Sequence, residues 1–179
     1  LDALKNAIRP DTILVSIMMA NNETGVIQDM TSISSICKEK EVLLFVDATQ
    51  AVGKIPVDVE EMGIDLLAFS AHKFYGPKGV GALYVRRKNP RVHLSALLDG
   101  GGHERGLRSG TLNVPGIVAM GKAAELAISE MEEDNQRISQ LRNHLEHLLC
   151  KEPEVFINGS IENRLATVSN LSFRFTEGP

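Results

Sequence analysis

The sequence has no tryptophan, two tyrosines and only two cysteines in 179 residues. Cys37 and Cys150 cannot build a disulfide framework, and their spacing matches no zinc-binding pattern. Each falls in a helical pattern among apolar neighbours, which reads as a buried or half-buried structural thiol and suits a reducing compartment. No uninterrupted apolar stretch approaches the roughly 20 residues that cross a bilayer, so no membrane span is expected. An excess of positive charge is also missing: 19 Lys and Arg stand against 23 Asp and Glu, a net charge of −4. A chain of that sign is a poor partner for nucleic-acid phosphates. Its one basic cluster, Arg86-Arg87-Lys88 with Arg91, is short, follows a strand pattern and reads as a solvated turn. No secretory or transit segment is visible. The chain opens at Leu1 in what looks like the middle of a helix and stops at Thr176-Glu177-Gly178-Pro179 with no closing element. Both ends are expected to be cuts, with any targeting segment outside the sequence.

What is present is ordinary globular material, 43% hydrophobic and 23% charged. At about 150 residues per domain the length allows one domain, or one and a piece of a second, with a core large enough to need no metal or disulfide staple.

Strand and helix signals alternate. The near-continuous apolar run Thr12 to Met19 predicts a strand buried on both faces, broken by Asn21-Asn22-Glu23-Thr24-Gly25. A helix is expected from Asp29 or Thr31 to Lys40, with Ile33, Ile36 and Cys37 on one face. Val42 to Val46 is a second strand, ending in Asp47. A short helix, Val59 to Met62, leads to a third strand, Ile64 to Phe69, ending in Ser70; Val80 to Val85 makes a fourth. From Pro115 to about Cys150 the apolar spacing is helical, with a polar patch at Glu132 to Arg137 that could mark a hinge or a solvent crossing. Glu154 to Ile157 and Val168 to Phe175 read as two further strands. The expected architecture is therefore α/β: a mostly parallel sheet with helices on both faces over residues 1–130, then the start of a smaller α+β domain over residues 131–179.

In such sheets, ligands bind outside the carboxyl ends of the strands. The first strand ends at Asn21-Asn22-Glu23, the second at Asp47-Ala48-Thr49-Gln50 and the third at Ser70-Ala71-His72-Lys73. Taken singly, the aspartate could be a helix cap, the histidine a satisfied half-buried side chain and the lysine a solvated surface group. Taken together at one edge, they suit pyridoxal phosphate. A lysine amine forms a Schiff base with an aldehyde, and an aspartate facing a pyridine nitrogen keeps it protonated, making the ring an electron sink. Ser70 and His72 could hold the phosphate, and Gln50 or Asn22 could hydrogen-bond the ring hydroxyl. Gly76-Pro77-Lys78-Gly79 lacks the spacing of an ATP-binding P-loop. The cluster Gly100-Gly101-Gly102-His103-Glu104-Arg105-Gly106-Leu107-Arg108-Ser109-Gly110-Thr111 reads either as an anion site before a helix or as a mobile surface loop. His103-Glu104 and the pair His144 and His147 each look like half a metal site without a third ligand, so no metal is expected.

These four motifs, Asn21 to Gly25, Val46 to Gln50, Ser70 to Gly79 and Gly100 to Thr111, stand in order at a spacing that resembles the cysteine desulfurases. These are class V aminotransferase-like, fold-type I pyridoxal phosphate enzymes, and the resemblance covers nearly the whole chain. It implies that Lys73 holds the cofactor covalently and moves the substrate's protons. Asp47 would pair with the pyridinium nitrogen, Gln50 with the ring hydroxyl, and Asn22 would lie near the ring and the substrate carboxylate. Ser70 and His72 would bind the phosphate. Thr111 would reach the cofactor phosphate of a partner subunit, which implies a homodimer.

The implied reaction converts L-cysteine to L-alanine, leaving a persulfide that passes to an iron–sulfur scaffold or a tRNA-thiolation carrier, in the cytoplasm or in a eukaryote's mitochondrion. In the family the persulfide cysteine lies downstream of a Glu-Gly motif, here Glu177-Gly178, and Cys37 and Cys150 do not match it. The chain is thus expected to be a central fragment, inactive alone. Selenocysteine lyase or another class V enzyme, and a noncatalytic partner-binding relative, are the alternatives.

Overall fold

A computed structural model describes residues 1–176. Glu177, Gly178 and Pro179, which carry the resemblance to the Glu-Gly motif, lie outside the described residues. The elements in chain order are α1 (Asp2–Ala7), β1 (Leu14–Met18), α2 (Met30–Glu39), β2 (Leu43–Asp47), β3 (Leu66–Ser70), β4 (Gly81–Val85), α3 (Val114–Leu149), β5 (Val155–Ile157) and β6 (Leu171–Phe173). Short 3-10 turns cover Ala71–Lys73 and Glu104–Gly106.

The order β1-β2-β3-β4 forms one sheet, parallel through β3 and closed by an antiparallel β4. Its register lines up Ile17, Val46, Leu67 and Tyr84 in one row across all four strands. All four belong to the main core or pack against it. Because side chains alternate along a strand, the next row, Met18, Asp47, Ala68 and Leu83, turns to the opposite face. There Met18 and Leu83 stay 41% and 51% exposed, so β1 is covered on one face in this chain rather than on both. The alternating face carries Asp47 out of the core.

Helix α2 covers the core face. Asp29 is its N-cap, its Oδ1 accepting the Ser32 N–H at 3.0 Å. Ile33, Ile36 and Cys37 are buried on the expected side. Two further expectations meet different outcomes. Residues 59–63 form hydrogen-bonded turns and not a short helix: Asp58 Oδ1 caps the N–H groups of Glu60 and Glu61 and Met62 N–H reaches the Asp58 carbonyl, but Gly63 at φ 65° reverses the chain after that single turn. Helix α3 runs unbroken through the polar patch at Glu132 to Arg137, which is a solvent crossing and not a hinge: no proline or glycine interrupts the ladder and the polar groups pair on the surface, as in Arg137 with Asp134 at 2.7 Å. Asn113 caps α3 and Pro115 occupies its first turn. Strands β5 and β6 form a separate antiparallel pair.

The segment after β5 and helix α3 are tied back by hydrogen bonds to the loops that follow β1 and β2. Leu165 donates to the Gly25 carbonyl and Ile27 to the Asn163 carbonyl, both at 2.9 Å. Asn135 Nδ2 donates to the Lys54 carbonyl at 2.7 Å.

Candidate functional site

Three parallel strands deliver their polar ends to one edge, as the alternating pattern implied. The loop after β1 is organised by Asn21, whose Oδ1 accepts the Glu23 N–H at 2.9 Å and the Thr24 N–H at 2.8 Å. Asn22 stands exposed beside it. Gly25 must be glycine: its φ is 74°, and a Cβ there would lie 2.7 Å from Val168 Cβ.

Asp47 ends β2 and is exposed, opposite Ala68 of β3. Its Oδ1 accepts the Thr49 N–H at 2.9 Å, which closes a local turn; among the described residues no helix lies between β2 and β3 for it to cap. A carboxylate has lone pairs for more than one donor, and Oδ2 has no hydrogen-bond partner among the described residues. Gln50 is half-buried and its Oε1 accepts from Lys54 Nζ at 2.8 Å.

Beyond β3 the chain tightens into the turn Ala71–Lys73. The Ala71 carbonyl accepts both Phe74 N–H at 3.1 Å and Gly76 N–H at 2.9 Å. Phe74 is buried against Gly53, with its ring 5.9 Å from that of Phe69. This anchor leaves Lys73 and His72 exposed on the outer side of the turn. Ser70 Oγ lies 2.8 Å from His72 Nδ1. Either Ser70 donates to the ring nitrogen or the ring donates to Ser70. In both cases a neutral pair keeps one N–H or O–H free to face an anion.

Lys54 is a group the sequence reading passed over. Its ammonium is held below the usual lysine range, first by burial and second by the nearby positive charge of Lys73. The two lysines are thus close, one half-buried and one exposed. The signal was faint: a lysine four residues after a glutamine in an unpredicted turn.

The glycine-rich segment folds on itself. Ser109 N–H donates to the Leu98 carbonyl at 3.2 Å and Gly110 N–H to His103 Nδ1 at 3.3 Å. Thr111 is exposed just before the α3 cap and makes no hydrogen bond to the strand-end groups among the described residues. The structure therefore gathers Asp47, Gln50, Ser70, His72 and Lys73 at neighbouring strand ends, places Asn22 on the adjacent loop and sets Thr111 apart.

Cys37 is buried in α2 as expected. Cys150 is exposed at the C-cap of α3, contrary to the buried reading, because the apolar face of the last helical turns is only partly covered: Leu145 and Leu148 are each 48% exposed.

The donor set fits a phosphorylated aldehyde on a pyridine ring: an accessible primary amine, a carboxylate with a free oxygen, a side-chain amide and a hydroxyl–imidazole pair, all at one edge.

Comparison with known proteins agrees. The family model described as Aminotransferase class-V matches residues 1–178. A protein of Methylococcus capsulatus named cysteine desulfurase IscS is 56% identical over 178 residues, which are 99% of this chain and 44% of that protein. Among solved structures, a NifS-like protein superposes with a TM-score of 0.89 at 44% identity, covering 96% of this chain and 47% of its own. SspA in complex with cysteine superposes at 0.78 with 37% identity, covering 96% and 47%. The chain spans less than half the length of these relatives.

Proposed function

The chain belongs to the class-V aminotransferase family, and from that we propose that it forms the cofactor-holding part of a pyridoxal phosphate-dependent cysteine desulfurase. The observation that carries the reading is the shared edge: Asp47 ends β2, Ser70 ends the adjacent parallel β3, and His72 and Lys73 follow within one turn. The identity to a relative named cysteine desulfurase, and the cysteine bound in the SspA structure, support L-cysteine as substrate.

When bound, the cofactor supplies an electron sink for the bond broken at the substrate's α carbon. The residues of this chain would do the rest. Lys73 Nζ, exposed at the end of its turn, would hold the aldehyde carbon and then carry a proton to and from the α carbon. Asp47 Oδ2 would hold a proton at the ring nitrogen. Gln50 would donate to the ring hydroxyl oxygen, Asn22 would lie beside the ring and substrate carboxylate, and Ser70 with His72 would bind the phosphate. Neither Cys37 nor Cys150 is assigned the sulfur-accepting role, the first because it is buried. L-Alanine and a persulfide would be the products, the sulfur going to an iron–sulfur scaffold or another acceptor protein. Thr111, set apart and exposed, suits contact with a second copy in a homodimer. Two unpaired cysteines suit the cytoplasm or a mitochondrion.

The test is to add pyridoxal phosphate to the full-length enzyme, record the visible band of a lysine-bound cofactor, reduce with borohydride and map the tagged residue. A tag on Lys73, absent from Lys73→Ala, is the expected result; a tag elsewhere, or none, overturns the site. Alanine released from selenocysteine but not from cysteine by the full-length enzyme would favour the lyase alternative.

A further inference from the structure

We infer that Lys54 is a positioning residue for the cofactor, fixing which end of the Gln50 amide faces the strand-end site; this rests on the pyridoxal phosphate reading above. An ammonium carries three donors and no acceptor, so its 2.8 Å contact with Gln50 can only be to the carbonyl oxygen, Oε1. The Nε2 end is then the free one, a donor. A ring hydroxyl that loses its proton needs a donor opposite it, and an amide turned the other way would set oxygen against oxygen. Left alone, a glutamine amide flips at little cost; held by Lys54, it is pre-oriented.

The arrangement separates the ammonium from the scaffold. The turn that carries Lys54 is held by its own backbone: Val52 N–H donates to Ala48 at 2.9 Å, Lys54 N–H to Ala51 at 2.9 Å and Ile55 N–H to Ala51 at 3.0 Å. Asn135 of α3 holds the Lys54 carbonyl. None of these bonds uses Nζ. Holding this ammonium half-buried and close to that of Lys73 is unfavourable, as its lowered pKa reflects, so a purely structural tie would be better made by a neutral side chain.

The experiment measures pyridoxal phosphate affinity and the visible band position for wild type, Lys54→Met, Lys54→Arg, Gln50→Ala and the Lys54→Met/Gln50→Ala double variant, with thermal unfolding of each cofactor-free protein. Lys54→Met is expected to weaken binding about five- to tenfold, the net worth of one ordinary hydrogen bond, and to shift the band in the same direction as Gln50→Ala. The double variant should be no weaker than Gln50→Ala, because Lys54 acts through Gln50. Lys54→Arg, which still donates, should stay within about twofold of wild type. Additive losses, an unmoved band, or a lowered unfolding temperature in Lys54→Met would overturn the inference while leaving the cofactor reading intact. A wild-type protein that takes no tag at Lys73 would overturn the cofactor reading itself, before any variant is compared.

Discussion

Arg164 and Glu146 meet in a two-pronged ion pair, Nη1 to Oε1 at 2.7 Å and Nη2 to Oε2 at 2.6 Å, with both side chains almost wholly buried. Ser169 adds a third bond to Oε1 at 2.7 Å. The pair fastens the segment after β5 onto α3, and that same segment supplies Leu165 and Asn163 as backbone partners for the loop that holds Asn22. One ion pair thus connects α3 to a strand end of the candidate site.

Replacing Glu146 with Gln should cost about 3–5 kcal/mol, because the buried Arg164 guanidinium is left without its counter-charge. The pair also sets an acid limit. Burial pushes the Glu146 carboxyl up, but hydrogen bonds from Arg164 and Ser169 and the charges of Arg164 and Arg142 outweigh it and hold it below the usual range. A depressed folded value means the contribution is complete above the unfolded glutamate value of about 4.3 and is lost as pH falls through the folded one. Urea unfolding at neutral and acid pH is the check: the gap between wild type and Glu146→Gln should narrow on acidification. A gap independent of pH would refute the assignment.

That ion pair was not legible in the sequence, and the reason is physical. Glu146 lies in a helix and Arg164 in an irregular segment, so no periodic spacing relates them; only the folded chain does. The strand ends were legible because apolar runs stop at polar residues wherever a parallel sheet meets solvent, which placed Asp47 and Ser70 correctly. The direction of β4 was not, since an apolar run of five has no polarity of its own. The short helix expected over Val59 to Met62 does not extend past one turn, because Gly63 at φ 65° turns the chain away before a second turn can form. Nor could burial of Cys150 be judged from its neighbours, because which face of α3 is covered depends on the rest of the fold.

Two glycines separate crowding from backbone strain beside Lys73. Gly53 and Gly79 have nearly equal φ, 78° and 80°, but a Cβ on Gly53 would lie 2.5 Å from Phe74 Cβ, whereas one on Gly79 meets nothing within 4 Å. Gly79→Ala should cost about 1 kcal/mol, the left-handed penalty alone. Gly53→Ala should add about 1–3 kcal/mol for overpacking against Phe74, the residue that anchors the lysine turn. Borohydride tagging of Lys73 should fall in Gly53→Ala and hold in Gly79→Ala; equal urea midpoints for the two would contradict the crowding argument.

The two thiols should react very differently. Cys37 is 1% exposed, and its pKa is raised, by burial first and by the negative charge of Asp65 second. It is therefore a protonated thiol at neutral pH as well as an inaccessible one. Iodoacetamide on the folded protein should modify Cys150 and leave Cys37 intact until urea is added, as read by peptide mass spectrometry. Prompt alkylation of Cys37 would mean that α2 opens far more readily than its packing implies.

The contact between Ser70 and His72 leads to a prediction about charge recognition. With Oγ and Nδ1 2.8 Å apart, each group uses the other to fix its orientation, and one donor of the pair stays free. Ser70→Ala removes a donor and also releases the imidazole. A phosphate would feel both losses, whereas the aldehyde chemistry at Lys73 would feel neither. The variant should therefore bind pyridoxal phosphate about tenfold more weakly, in line with a lost hydrogen bond to a charged group, yet bind pyridoxal, which has no phosphate, as wild type does. Affinity for both compounds, measured from the visible band of each complex, makes the comparison internal. Equal weakening for both would show that Ser70 serves the turn and not the anion, because only a phosphate contact can depend on whether the phosphate is there.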